Sequence, residues 1–352
     1  IEDSFRSHGI PLENVLSDDG EFQLLKQWLE SYHVRELLDQ NFEPVDEIKS
    51  LIPTPDLKMG HNKHANCDQI VKLDLPDLRD FETPVDKPGK NQAADMIVLS
   101  NYLKEVIKRN PTSFRLMSPD ESVSNRLGSL FEVTERCYMW PTPPGSEKIG
   151  PEGRVMEVLS ENLLMAWMQG YVLTGRHSIF VSYEAFMMIT ASMVDQYLKF
   201  LHQKDHIDWR KPVPSLNIIL TSSSWRQEHN GISHQKVGFV SSGVNNQSSH
   251  VDIYYPVDAN MLLVTMEQCL LQCNKVNVIV AGKRDMPQYL SLNDSSFQNK
   301  TGIGVWDGAT PGAADPDIVF AATGDYMTLE SLAAINLLQE MAPEIRTRFV
   351  SV

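Results

Sequence analysis

The sequence predicts an α/β fold: a doubly wound, mostly parallel sheet with helices on both faces. Three observations predict it. Short, continuous apolar runs at residues 179–182, 216–220 and 276–281 read as strands buried on both sides. Helical stretches alternate with those runs along the chain. The 352 residues, 42% of them hydrophobic, are enough for roughly two cored domains.

The elements follow in chain order. Residues 1–95 read as an irregular arm that wraps a neighbouring domain. It holds a helical stretch at 20–38, with Phe22, Leu25, Trp28 and Leu29 at helical spacing. Prolines at 53, 55, 84 and 88 interrupt the rest, since proline continues neither a helix nor a central strand. From about residue 96 to 310 the pattern becomes α/β. A helix is expected at 93–109, a strand at 114–117 and an apolar stretch at 155–159. Ser160 then caps a helix running to about 173, whose expected core face is Leu163, Leu164, Trp167 and Tyr171, and Gly175 stops it. A strand at 179–182 leads into one long helix at 183–201. Strands at 216–220, 251–255 and 276–281 follow, with a helix at 260–273 between the last two. Residues 311–352 read as the first βαβ unit of a further α/β domain. It has a strand at 317–322, a helix at 328–341 burying Leu329, Leu332, Ala333, Ile335 and Leu337, and a strand at 345–352.

Composition narrows the function. Lys plus Arg total 31 against 46 Asp plus Glu, a formal net charge of −15. That surface repels a nucleic-acid backbone, although a local basic cluster can still hold a small anion. No apolar run reaches the roughly 18 residues that cross a bilayer, and no signal peptide is visible. Cys67, Cys137, Cys269 and Cys273 lack CxxC spacing and read as free thiols of a cytoplasmic protein.

Ligands of open α/β sheets sit beyond the carboxyl ends of strands, so the polar segments there matter most. After the strand at 114–117 come Ser118-Pro119-Asp120-Glu121-Ser122-Val123-Ser124-Asn125-Arg126. This is either a capped turn or an anion site, in which Ser124 and the Arg126 fork suit a phosphate. After 216–220 lies Trp225-Arg226-Gln227-Glu228-His229-Asn230-Gly231-Ile232-Ser233-His234-Gln235. Two imidazoles five residues apart can relay protons, while the alternative is a plain surface loop. Glu161 opens an apolar helix, either as a carboxylate favoured by the helix dipole or as a partner for a heterocyclic nitrogen. Lys283 stands just past a strand end, as a loop lysine or an anion ligand. His61, His64 and Cys67 have metal-like spacing but no fourth ligand. No GxGxxG, GxxxxGK[ST] or HExxH motif occurs.

Taken together these stretches resemble the thiamine diphosphate-dependent phosphoketolases. The resembling segments are Ser118 to Leu127, Gly153-Arg154-Val155-Met156-Glu157-Val158-Leu159-Ser160-Glu161, Leu173-Thr174-Gly175-Arg176-His177 and Ser182-Tyr183-Glu184-Ala185-Phe186. Trp225 to Gln235, Asn277 to Lys283 and Phe5-Arg6-Ser7-His8 complete them. The likeness covers essentially the whole chain, in order. Ser222-Ser223-Ser224 and Cys67 depart from the expected pattern and leave fine substrate preference open.

The resemblance implies a thiamine diphosphate-binding fold of the pyrimidine type, in a middle-domain fragment of a longer enzyme. The Gly-Asp-Gly motif of the diphosphate domain does not occur, since Gly324-Asp325 is followed by Tyr326. The implied reaction cleaves xylulose 5-phosphate or fructose 6-phosphate with inorganic phosphate, giving acetyl phosphate and an aldose phosphate. Implied roles are Glu161 on the aminopyrimidine N1′, Phe186 stacked on that ring and Asp120 nearby. Ser124, Arg126, Tyr183, Asn230 and Lys283 would hold substrate phosphate. His8, His229 and His234, with Gln227, would move protons. The metal, Mg2+ or Ca2+, would belong to the absent diphosphate domain. The active site would lie between subunits of a homodimer or higher homo-oligomer, and this fragment alone would be inactive. A transketolase-like ketol transferase and a non-catalytic α/β assembly module are the competing readings.

Overall fold

The sheet that organises the protein is built from β-branched and other apolar runs that the chain buries on both faces. The computed structural model describes residues 9–62, 64, 70–221, 232–234, 236–246, 248–306 and 315–352. In chain order the strands are β1 (Gln92–Ala94), β2 (Phe114–Ser118), β3 (Arg136–Cys137), β4 (Ile149–Gly150) and β5 (Val155–Glu157). Next come β6 (His177–Ser182), β7 (Leu216–Thr221), β8 (Val251–Tyr254), β9 (Val276–Ala281) and β10 (Asp285–Pro287). The last three are β11 (Gly304–Val305), β12 (Ile318–Ala322) and β13 (Thr347–Ser351). The helices are α1 (Asp19–Glu30), α2 (Val34–Leu37), α3 (Asp46–Leu51), α4 (Asp95–Arg109), α5 (Glu161–Val172) and α6 (Glu184–Met187). They continue with α7 (Ala191–Lys204), α8 (Phe239–Asn246), α9 (Ala259–Leu271), α10 (Leu292–Thr301) and α11 (Gly324–Met341).

Among the described residues the main sheet has eight strands in the order β4-β3-β5-β2-β6-β7-β9-β8, all pairs parallel. The α/β, doubly wound, mostly parallel architecture is therefore the one the sequence predicts. The order reverses at β2. Strands β3 to β5 lie on one side of it, and the chain then crosses back to place β6 on the other. Such a switch point opens a crevice at the carboxyl edge, because the flanking connections leave in opposite directions.

Alternation along each strand assigns the two cores. Ile179 and Val181 of β6 point into a core with Leu99, Leu103 and Val106 of α4 and Leu262 and Met266 of α9. Phe180, between them, points into the opposite core with Leu164 and Met168 of α5 and Leu198 and Leu201 of α7. Every residue of β6, β7 and β9 is buried. Burying a side chain such as Leu99 or Leu103 contributes about 1.5–3 kcal/mol.

The protein divides into two compact units, Ile1–Asn62 and Lys63–Val352. In the first, Asp18 caps α1 by accepting the Gly20 and Glu21 N–H groups. The continuous helical stretch expected at 20–38 is broken there, where His33 has φ +50°, and Phe22, Trp28 and Leu29 are about half exposed. In the second unit, residues 70–92 run along the α/β core. Val71 N–H donates to Gly175 O at 2.9 Å, and the Asn260 amide bonds both Thr83 N and Thr83 O. A small sheet, β11-β13-β12, ends this unit, with α11 packed on it.

Three further expectations are corrected. The helix expected at 183–201 is α6, a 3-10 turn at Met188–Thr190 and α7. Thr190 Oγ donates to Met187 O at 2.8 Å, a local bond that competes with the helical ladder. The core face of α5 is Leu164, Met165, Met168 and Val172, whereas Leu163 and Trp167 are each 39% exposed. Apart from Glu161, Asn162 and Gln169 that helix is apolar around most of its circumference, so its periodicity does not single out one face. On α11, Ile335 is buried but Leu337 is 59% exposed and Ala333 is exposed.

Candidate active site

The carboxyl ends of β2, β5, β6 and β9 bring four separate pieces of sequence to the switch point. The loop after β2 carries Glu121, Ser124 and Arg126. The turn after β5 delivers Glu161, the first residue of α5, where Ser160 Oγ accepts Leu163 N–H at 3.3 Å and fixes the helix start. The end of β6 presents Ser182, Tyr183 and, one turn on, Phe186. The end of β9 presents Lys283. Gly282 makes that last placement possible. Its N-terminal neighbour closes β9, its carbonyl accepts Met96 N–H at 3.1 Å, and a Cβ there would stand 2.5 Å from Asp325 Oδ2.

Tyr183 is the hub of the anion-facing group. Its ring is 3% exposed, and its hydroxyl donates to Ser124 Oγ at 2.9 Å. Ser124 Oγ in turn donates to the Glu121 carbonyl at 3.1 Å. Lys283 Nζ lies 4.1 Å from the centre of the Tyr183 ring, a cation–π contact. Arg126 Nε donates to the Lys283 carbonyl at 3.3 Å, so the two cations are held side by side. Burial, together with Arg126 and Arg284, lowers the Lys283 pKa to about 8, although Glu121 opposes that shift. Adjacent cations with a lowered ammonium pKa suit a bound anion, which restores the charge.

The loop after β2 is strained. Asp120 and Arg126 have φ +61° and +65°, in the left-handed region that side chains with a Cβ rarely adopt. Such outliers cost about 1–3 kcal/mol each and cluster at ligand sites. They turn the loop so that Glu121 faces inward. Its Oε2 accepts Ser182 Oγ–H at 3.2 Å and Tyr183 N–H at 3.4 Å. Burial raises the Glu121 pKa to about 7; the Ser182 and Tyr183 bonds pull it down, and the charge of Glu161 pushes it further up. Two carboxyls therefore stand close at this edge of the sheet.

An aromatic group borders them. The Tyr183 and Phe186 rings stack with centres 6.0 Å apart and planes 23° apart. His234, in a short 3-10 turn at Ile232–His234, sets its ring edge against Phe186 at 5.0 Å and against Tyr183 at 6.0 Å. Its Nδ1 is 2.8 Å from Ser233 Oγ. An apolar ring face beside two carboxyls and an imidazole is a setting for a polar aromatic heterocycle, with proton exchange at its ring nitrogens.

The structure thus brings together Glu161, Tyr183, Ser124, Arg126, Lys283, Phe186 and His234 from the sequence-derived set. Asp120 is exposed, and its carboxylate has no hydrogen-bond partner among the described residues. His8, Gln227, His229 and Asn230 lie outside the described residues. Glu121 and Ser182 were quoted within motifs but given no role. Ser182 is buried and Glu121 half-buried, and what singles them out is their bond to each other across two strand ends; the one signal in the sequence is an acidic residue among serines after a strand. Among the described residues no group of three or more His, Cys, Asp or Glu could hold a metal, and His64 Nδ1 faces Thr174 O at 3.2 Å. No helix is long and apolar enough to cross a membrane among the described residues.

Comparison with known proteins adds the family. Residues 97–272 match "D-xylulose 5-phosphate/D-fructose 6-phosphate phosphoketolase". Residues 1–70 match its N-terminal domain and residues 283–352 its C-terminal domain. A probable phosphoketolase of Bradyrhizobium diazoefficiens is 43% identical over the whole chain, and one of Synechococcus elongatus is 44% identical. The chain spans about 45% of the length of each of these relatives. Among solved structures, a transketolase of Pichia stipitis has TM-score 0.58 at 18% identity, over 94% of this chain and 42% of its own. A transketolase of Leishmania mexicana has TM-score 0.54 at 17% identity, over 79% of this chain and 36% of its own. At such identity the likeness concerns the fold, which is that of the transketolases. From the sequence matches along its whole length, this chain belongs to the phosphoketolase family.

Proposed function

We propose that this chain supplies the pyrimidine-facing side of a phosphoketolase active site. The enzyme, a carbon–carbon lyase, would cleave xylulose 5-phosphate or fructose 6-phosphate with inorganic phosphate. The products are acetyl phosphate and glyceraldehyde 3-phosphate or erythrose 4-phosphate. The observation that carries this reading is the convergence of Glu161 with the Lys283–Tyr183–Ser124 group at one switch point. It occurs in a chain matched end to end by phosphoketolases.

The residues present fit the pyrimidine end of thiamine diphosphate: a helix-opening carboxylate, a partly buried ring face and an imidazole edge. When bound, that cofactor supplies the carbon nucleophile and electron sink for breaking a bond beside a ketone. On this reading Glu161 exchanges a proton with the ring nitrogen N1′, and Phe186 offers its face, with Asp120 nearby. Lys283, Arg126, Ser124, Tyr183 and Asn230 hold the sugar phosphate. His234, with His8, His229 and Gln227, moves protons at the sugar hydroxyls. The diphosphate and its Mg2+ or Ca2+ are held by sequence outside this chain, so the chain alone is inactive.

The partner arrangement is a homodimer or higher homo-oligomer in the cytoplasm, without nucleic acid or membrane. Leu163 and Trp167, one turn apart on α5, support it together with Leu159 in the connection just before that helix: they are 39%, 39% and 80% exposed.

The test is product analysis of the holoenzyme given a ketose phosphate, inorganic phosphate and thiamine diphosphate. Acetyl phosphate that requires inorganic phosphate is the expected result. Ketol transfer to an aldose acceptor, with no acetyl phosphate, would establish the transketolase-like reading instead. Acetyl phosphate from this chain alone would overturn the proposed division of the site.

A further inference from the structure

We propose that Glu121 is a positioning residue for the phosphate-facing side chains: its bonds latch the loop after β2 to the end of β6 and hold Tyr183 and Ser124 together beside Lys283. The geometry is a closed ring. The Glu121 carboxyl takes the Tyr183 N–H and the Ser182 hydroxyl. The Tyr183 hydroxyl reaches Ser124, and Ser124 returns its proton to the Glu121 carbonyl. One residue thereby ties the end of β6 to the middle of a turn, at Ser124 and Asn125, that lies between the positive-φ residues Asp120 and Arg126.

Chemistry explains why a carboxyl can sit there. Among the described residues, the charged groups around it are Glu161 at the start of α5 and Lys283, with Arg126 and Arg284 beside that lysine. An ionised Glu121 would be attracted by Lys283, repelled by Glu161, and repelled by any phosphate on Lys283 and Arg126. Burial and Glu161 keep its proton on up to about pH 7. In that state the latch is neutral and leaves the lysine charge to the incoming anion. Loss of the proton adds negative charge that acts on Lys283, the cation offered to the anion.

For its catalytic consequence this inference rests on the proposed function; the titration does not. The first measurement is the 13C titration of Glu121 in this chain, assigned by its absence in Glu121→Gln. A midpoint near neutrality supports the neutral form of the latch, and one in the ordinary carboxylate range overturns that neutral form, whether or not acetyl phosphate is ever made. The second is holoenzyme kinetics. Glu121→Ala is expected to raise KM for the ketose phosphate about fivefold, the scale of one lost hydrogen bond, with a smaller change in kcat. Glu121→Gln, which keeps a neutral hydrogen-bonding group, is expected to restore KM and to flatten its rise between pH 7 and 8. An unchanged KM in Glu121→Ala, or failure of Gln to rescue it, would remove Glu121 from this role.

Discussion

Tyr183 and Ser124 lie 59 residues apart, yet the tyrosine hydroxyl donates to the serine oxygen at 2.9 Å. The bond joins the ends of two neighbouring parallel strands across the switch point. It also sets the ring over which Lys283 rests. Tyr183→Phe removes the donor and keeps the ring. The expected outcome is a KM for ketose phosphate about fivefold higher, from roughly 1 kcal/mol of lost hydrogen bonding, with the cation–π contact intact. Steady-state kinetics of the holoenzyme check this.

Lys283 titrates at about 8, below the ordinary lysine value, chiefly through burial. The cation is the form that binds phosphate, so affinity should weaken as the pH rises through that value. Lys283→Arg keeps its charge at all accessible pH. Its KM is expected to stay flat between pH 8 and 9, where the parent's rises. A parallel rise in both proteins would assign the effect to another group.

Glu161→Gln keeps the volume and the helix start but loses the exchangeable proton. Turnover is expected to fall by about 100-fold or more, the scale of a lost acid–base group. Unfolding stability should move by no more than about 0.5 kcal/mol, since the side chain is partly exposed and Ser160 still caps α5. Near-parent turnover would remove the residue from this role.

The corrected face of α5 gives a packing test. Leu164 is fully buried against Phe180 and Met168, so Leu164→Ala should cost about 2–5 kcal/mol. Leu163, one residue earlier, is 39% exposed. Leu163→Ala should change monomer stability much less and, if this face joins subunits, weaken self-association. Chemical denaturation and sedimentation together separate the two.

Glu121 also makes stability depend on pH. Its folded pKa is raised above the unfolded value, so its contribution is fully present below about 4.5 and is lost as the pH rises through about 7. The shift corresponds to roughly 3 kcal/mol. Subtracting the stability of Glu121→Gln from that of the parent cancels the histidines, which titrate in both. That difference should fall from pH 5 to pH 8; a flat difference would place the carboxyl in its ordinary range.

Much of the site was legible as residue types after strands. The Ser124–Arg126 segment and Lys283 were readable because polar groups following an apolar run mark a carboxyl edge. Phe186 and Tyr183 gained a role through the family resemblance, since pattern alone places them in an expected helix. Glu121 was unreadable as more than a loop acid, because burial and proximity to Glu161 come from separate strands. Asp120, its neighbour, is likewise an acid with the same signal in the sequence, and the chain turns it outward.

The sequence by itself determined the alternation of strands and helices, the double burial of β6, β7 and β9, and the family. Those properties reside in local periodicity and in composition along a segment. The tertiary structure alone decided the strand order, the exposed face of α5 and which carboxyl points inward. Each of these depends on contacts between residues tens of positions apart, and a helix apolar around most of its circumference or a run of acids is compatible with more than one such packing.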